Sequence, residues 1–137
     1  MELLSTMVDY ALPFLFVLTV LVFFHELGHY LIARLNGVRV EVFSVGFGPE
    51  LFGRTDRVGT RWKFSMIPLG GYVKMFGENT TPDEVSQALL SNLDQNVAFH
   101  TKTVGQRAAI VFAGPAANFL LAIFIFALLF VFVGQPF

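Results

Sequence analysis

The sequence predicts a membrane protein that is mainly α-helical, with two transmembrane helices, an intervening membrane-associated β-hairpin region and a short amphipathic helix. Two uncharged apolar stretches lie near the ends of the 137-residue chain, and a segment rich in β-branched and aromatic residues separates them. Hydrophobic residues make up 55% of the chain and charged residues only 14%, whereas ordinary globular domains contain about 25% charged residues. This composition favours a lipid environment over a soluble fold.

The first predicted transmembrane helix spans about residues 11–35. Residues 11–24 carry no charge, and the apolar character resumes from Tyr30. About 20 residues are enough for a helix to cross the hydrocarbon core of a bilayer. Asn36 and Gly37 then form a typical helix stop.

The second predicted transmembrane helix spans about residues 105–133. Residues 108–133 contain no charged side chain, so this stretch is also long enough to span a bilayer. Thr103 and Gln106 have the spacing of a capping box, in which each side chain bonds the backbone of the other residue. The helix is therefore expected to begin close to residue 104.

The segment between the helices, about residues 38–76, has the pattern of β-strands. The stretches VRVEVFSVGFG (38–48) and TRWKFSMIPLGGYVKM (60–75) are rich in β-branched and aromatic residues and show stretches of period-two alternation. This pattern predicts one or two hairpins. A cytoplasmic loop of about residues 77–102 follows, with a short helix that is expected to begin at Thr81.

The charges are distributed unevenly along the chain. All nine Lys and Arg residues lie between Arg34 and Arg107, and basic residues concentrate on the cytoplasmic side of membrane proteins. We therefore expect a cytoplasmic central segment and both termini outside. The net charge of −1 gives no indication of a nucleic-acid partner, and the absence of cysteine excludes thiolate metal sites and cysteine catalysis.

Three ionisable side chains interrupt the first apolar stretch, in the motif HELGH. An ionised side chain at the centre of a bilayer costs at least about 2.5–3.5 kcal/mol, so His25, Glu26 and His29 need a shared partner. On a helix, His25 and His29 are one turn apart and can bind one cation, with Glu26 beside them. This is the HExxH arrangement, in which two histidines bind zinc and the glutamate acts as general base for peptide hydrolysis.

A catalytic zinc site needs a third protein ligand. A metzincin pattern is excluded because Ile32 and Leu35 stand where it requires glycine and histidine. Glu41 and Glu50 have tolerable spacing but lie in strand-like sequence, and His100 is expected in a solvated loop. The third ligand is therefore expected outside these residues.

Two readings from other classes compete with a hydrolase. A non-catalytic membrane fragment could bind substrate or partner helices without hydrolysis. A bis-histidine haem site ranks last, because His25 and His29 lie on one helix and cannot approach an iron from opposite sides.

Three stretches of the chain resemble one family. HELGHYLIARLNGVRVEVFSVGFGP, IPLGGYVKMFGE and TVGQRAAIVFAGPAANFLLA occur in order and cover nearly all of residues 17–125. They resemble the N-terminal part of site-2 proteases of the RseP type, which are bacterial intramembrane zinc metalloproteases. The resemblance implies a multi-pass protein of the bacterial inner membrane, with periplasmic termini and a cytoplasmic central loop, that binds Zn²⁺ and cleaves the transmembrane helix of a single-pass substrate such as an anti-sigma factor.

The resemblance also assigns residues. His25 and His29 would bind zinc, and Glu26 would be the catalytic base. The β region of 38–76 would re-enter the membrane and pair with the unwound substrate, with Gly46 and Gly48 allowing close approach. Asn118, in a GPxxN element, would hydrogen-bond near the substrate site.

Members of this family continue beyond the matching part. They have periplasmic PDZ domains and further helices, one of which supplies an aspartate ligand to zinc. The chain is thus expected to be the N-terminal part of an incomplete protease core. By itself it is expected to bind zinc poorly and to cleave no peptide bond.

Overall fold

The computed structural model describes residues 1–78 and 97–134. Two long apolar helices flank an antiparallel β-hairpin, which confirms the predicted fold class. The elements are α1 (Glu2–Leu35), β1 (Val40–Thr55), β2 (Arg61–Met75), one turn of 3₁₀-helix (Phe99–Thr101) and α2 (Val104–Phe132). The short helix predicted from Thr81 lies outside the described residues.

Helix α1 is longer than the predicted transmembrane segment, because it begins at Glu2 rather than near residue 11. Glu2 lies in the first turn, where a negative charge complements the helix dipole. Pro13 lies inside the helix and removes only one backbone donor from the ladder. The end agrees with the predicted stop, since the Asn36 backbone N–H donates to Ile32 O at 3.0 Å and Gly37 has a φ of 75°.

Helix α2 begins with the predicted capping box. The Gln106 backbone N–H donates to Thr103 Oγ1 at 3.2 Å, and the Thr103 backbone N–H donates to Gln106 Oε1 at 3.1 Å. Pro115 lies within the helix. The 29 residues of α2 extend over about 44 Å at 1.5 Å per residue.

The hairpin is folded over on itself. Residues 42–45 of β1 pair antiparallel with residues 71–74 of β2, as expected along one hairpin. The same four residues also pair with residues 61–64, and this second pairing is parallel because the residue numbers increase together along both segments. Residues 50–55 pair with 61–65 on the far side. The strand segments therefore lie in the order 71–75, 42–45, 61–64 and 50–55, with 71–75 at one edge.

Buried side chains hold the fold-over in place. Thr60, in the hairpin turn, donates its hydroxyl to Val40 O at 2.8 Å, so the turn returns to the start of β1. Phe43 stacks on Trp62 with ring centroids 4.4 Å apart. The hydroxyl groups of Ser44 and Ser65 are 3.2 Å apart, and both residues are buried. The hydroxyl contacts satisfy polar groups that the fold-over removes from solvent.

Small residues bring α1 and α2 into close contact. A Cβ on Gly28 would overlap the carbonyl oxygen of Ala113 and would lie 2.8 Å from the Ala117 Cβ. Such small residues let helix backbones approach closely in membrane proteins. The interface continues into the buried core of Ala33, Val38, Val40, Met75 and Ile110.

The outward faces of both helices are apolar and exposed. Phe14, Phe16, Phe119, Phe124 and Phe126 are each at least 60% exposed. Soluble monomers rarely expose continuous apolar surfaces of this kind. Both helices are long and apolar enough to cross a membrane, as judged by length and composition.

Candidate metal centre

The two motif histidines meet on one face of α1, where this helix contacts α2. Their rings are edge to face with centroids 4.8 Å apart, and the two Nε2 atoms are separated by 3.2 Å. Two nitrogen ligands at about 2.0–2.1 Å from a tetrahedral zinc ion are roughly 3.3–3.4 Å apart. His25 and His29 therefore have nearly the separation that a shared zinc ion requires.

A backbone contact from α2 orients His29. Its Nδ1 lies 2.7 Å from the carbonyl oxygen of Ile110. A carbonyl can only accept, so Nδ1 carries the proton and the Nε2 of the neutral ring is free to bind a metal. The other motif histidine has its Nδ1 3.4 Å from Nδ2 of Asn118.

Gly114 leaves the space into which both histidines point. A Cβ at this position would overlap His29 Nε2 and would lie 2.8 Å from His25 Nε2. The absence of a side chain at Gly114 therefore leaves room for both imidazole rings. The residues present thus fit a bound zinc ion, with two imidazole ligands and open space beside them.

Glu26 borders a cavity next to His29. The cavity has a volume of about 190 Å³, and the Glu26 side chain is half-buried. Helix α1, the edge segment of β2, the turn after it and helix α2 all contribute to its walls. Its lining residues are Glu26, His29, Gly71, Tyr72, Val73, Met75, Glu78, Phe99, Ile110 and Val111.

Gly71 lets the edge segment of the hairpin pack closely against α1, next to Glu26. A Cβ on Gly71 would lie 3.6 Å from the Glu26 Cγ, 2.9 Å from a Val22 methyl and 2.6 Å from Ser44 O. The edge segment of the sheet can therefore approach the motif helix with its backbone. The cavity lies between this edge and the two helices.

The other candidate ligands lie elsewhere. Glu50 forms a salt bridge with Arg61 at 2.9 Å, and Glu41 pairs with Lys74 at 3.5 Å. His100 Nδ1 lies 3.1 Å from Gly77 O. Within residues 1–78 and 97–134, no group of three His, Cys, Asp or Glu side chains could hold a metal ion. The described residues thus offer the two histidines as ligands.

Gly46 and Gly48 lie at the bend of the folded hairpin. Their φ angles are 89° and 82°, values that L-residues with a side chain rarely adopt. A Cβ on Gly46 would lie 2.7 Å from Ile67 O, so this glycine allows close packing between the strands. Its predicted contact with substrate stays a prediction, as does that of Gly48.

Two features of the site had no clear signal in the sequence. The carbonyl of Ile110 orients His29, but a backbone group leaves no trace in residue identity. Glu78 lines the same cavity as Glu26, and its Oε2 accepts from the Met75 backbone N–H at 3.3 Å. In the sequence, the position of Glu78 near the cavity was indicated only by an acidic residue three positions after the end of a predicted strand.

Comparison with known proteins agrees with the geometry. A sequence model of peptidase family M50 matches residues 13–137. A predicted zinc metalloprotease of Brucella suis is 56% identical over 134 residues, and the alignment covers 96% of this chain and 35% of the relative. A predicted zinc metalloprotease of Rhizobium meliloti is 54% identical over 139 residues, covering 98% of this chain and 37% of the relative.

A third relative has a more specific name. The regulator of sigma-E protease RseP of Salmonella typhimurium is 52% identical over 123 residues, covering 90% of this chain and 26% of the relative. The chain thus spans between about a quarter and slightly over a third of the length of these relatives. Because the family model covers most of its sequence, including the HELGH motif, this chain belongs to peptidase family M50.

Proposed function

We propose that this chain carries the zinc-binding and base-supplying part of an intramembrane endopeptidase that cleaves the transmembrane helix of a single-pass substrate. One observation carries the proposal. The Nε2 atoms of His25 and His29 converge to 3.2 Å on a helix apolar enough to span a membrane, and Glu26 lines an adjacent cavity. Ionisable side chains within such a helix are costly unless they share a binding partner, and a metal ion is such a partner.

The residues of the chain divide the chemistry between them. When bound, zinc polarises the scissile carbonyl and lowers the pKa of a water molecule. Glu26 accepts a proton from the attacking water and returns it to the leaving amine. The hydrogen bond from His29 Nδ1 to Ile110 O holds that imidazole in its binding orientation.

The edge segment 71–75 is the surface to which we assign the substrate backbone. The peptide groups of a transmembrane helix are internally hydrogen-bonded, so the helix must unwind before hydrolysis. An unwound segment can recover those bonds by adding as a strand to a sheet edge. This edge borders Glu26 through Gly71, and the bend at Gly46 and Gly48 would contact the substrate as it enters.

The location and the partner follow from the same reasoning. We assign the protein to the bacterial inner membrane as a multi-pass protein, with its basic central segment in the cytoplasm and its termini in the periplasm. One relative is named a regulator of sigma-E protease, which supports an anti-sigma-factor-like substrate. The part of the relatives that this chain does not cover is expected to supply an aspartate as third zinc ligand.

A chimera tests the catalytic assignment. The chain replaces the matching segment of the Salmonella protease, and cleavage of a single-pass substrate is measured in proteoliposomes. Glu26→Gln keeps the size of the side chain and removes the base, so we expect cleavage to fall by at least about 10²-fold while zinc stays bound. Glu2→Gln makes the same chemical change at the far end of the same helix and should leave cleavage unchanged.

The histidine variants complete the test. His25→Ala and His29→Ala should lose both zinc and cleavage. Cleavage at the unsubstituted rate in purified Glu26→Gln would refute the mechanism. A chimera that binds the substrate, retains zinc and never cleaves it would instead favour the binding-only alternative.

A further inference from the structure

The two motif histidines are oriented by different kinds of group. His29 Nδ1 faces a backbone carbonyl, which leaves that ring a single neutral tautomer. His25 Nδ1 faces the side-chain amide of Asn118, 3.4 Å away on the neighbouring helix. An amide can present either a donor or an acceptor to the ring. The neighbouring group therefore allows either neutral tautomer of His25, but only the Nδ1-protonated tautomer of His29.

The Asn118 amide is only partly satisfied. Its Oδ1 is buried and has no hydrogen-bond partner among the described residues. Buried polar atoms without a partner are rare and call for an explanation. The oxygen and nitrogen of this amide are nearly identical in shape, and rotation by half a turn exchanges them.

Each orientation of the amide matches one state of the site. With Nδ2 toward His25, the amide donates to Nδ1, and the proton of His25 lies on Nε2. That proton can bridge to the bare Nε2 of His29 across 3.2 Å. With Oδ1 toward His25, the amide accepts from Nδ1–H, and both Nε2 atoms are bare. Two facing lone pairs at this distance require a cation between them.

We propose that Asn118 is the positioning residue for His25. In the metal-free site it donates to His25 Nδ1, and in the zinc-bound site its Oδ1 accepts from Nδ1–H. The change leaves the number of protons on His25 unaltered, since one is released from Nε2 and one is taken up at Nδ1. Asn118 thereby couples the amide orientation to zinc binding, in addition to any contact with substrate. This inference rests on the proposed zinc site.

The chain itself provides a direct readout of the tautomer. It contains three histidines, so a sample labelled with ¹⁵N at histidine gives few signals, and His100→Gln assigns one ring. In the zinc-free chain in detergent micelles we expect His29 with its proton on Nδ1 and His25 with its proton on Nε2. Because the chain by itself is expected to bind zinc weakly, the titration continues to an excess of zinc chloride, which should move the His25 proton to Nδ1.

Two substitutions of the asparagine separate positioning from packing. Asn118→Leu retains the approximate size and removes the acceptor, so the half-saturating zinc concentration should rise about 10–100-fold, as for other outer-sphere partners. Asn118→Asp restores an acceptor and should bind zinc within a few-fold of the unsubstituted chain. Thermal unfolding of each variant shows whether the helices still pack.

The outcomes are distinguishable from failure of the zinc site. Unchanged zinc binding in His25→Ala would refute the proposed metal centre itself. Zinc binding that depends on both histidines but is unaltered in Asn118→Leu would overturn this inference alone. Equal losses in Asn118→Leu and Asn118→Asp would also overturn it, because the aspartate retains the acceptor.

Discussion

The substitution Gly114→Ala, which adds a single methyl group, tests the metal centre most directly. A Cβ there would overlap His29 Nε2 and would lie 2.8 Å from His25 Nε2. Ordinary van der Waals contacts of a Cβ begin near 3.4 Å, so the His25 ring must retreat by about 0.6 Å and the His29 ring by more. Either retreat separates the two nitrogens or strains the bond from His29 to Ile110 O.

The size of the effect follows from the cost of overpacking. Inserting a methyl into a tightly packed site typically costs about 1–3 kcal/mol, which corresponds to roughly 5- to 150-fold in an equilibrium constant at about 1.4 kcal/mol per tenfold. We therefore expect Gly114→Ala to raise the half-saturating zinc concentration about 10–100-fold. The intrinsic preference of alanine for helices, about 1 kcal/mol over glycine, stabilises the helix with and without zinc and therefore does not change the zinc affinity.

Gly105→Ala is the matched control. It lies in the same helix and makes the same chemical change, but its added Cβ meets nothing within 4 Å. The assay is the titration of the detergent-solubilised chain with zinc chloride, with the histidine ¹⁵N signals as readout. Zinc binding by Gly114→Ala that equals that of Gly105→Ala would refute the placement of the histidines against α2.

Two further predictions concern the hairpin and the membrane orientation. The Trp62 indole N–H holds the pKa of Asp56 below its usual value, with smaller contributions from backbone amides of the turn. The stabilising effect of the carboxylate should therefore be complete above about pH 4 and lost as the pH falls through the lowered folded-state pKa. The fluorescence of the single tryptophan should report this transition, and Asp56→Asn should remove it; persistence of the transition in that variant would contradict the assignment. In intact cells, cysteines introduced at Leu3 and Asp83 should react with an impermeant reagent from opposite sides of the membrane. Labelling of position 83 from outside would show that the orientation is the reverse of the predicted one.

Local sequence patterns accounted for much of the fold. Uncharged stretches long enough to span a bilayer predicted both helices, and the spacing of Thr103 and Gln106 predicted the capping box. These patterns depend on contacts within one or two helical turns. The start of α1 at Glu2 was not predicted, because the charged residues Glu2 and Asp9 interrupt the apolar pattern before residue 11.

The sequence by itself determined that His25, Glu26 and His29 share a helix, since a separation of one turn follows from helix geometry alone. Only the tertiary structure decided which nitrogen atoms are free to bind a metal. The partner of His29 is 81 residues away and that of His25 is 93 residues away. The same holds for the folded-over hairpin, whose second pairing depends on buried contacts between distant segments. Periodicity describes each element, but close packing between elements selects the partner of each polar atom.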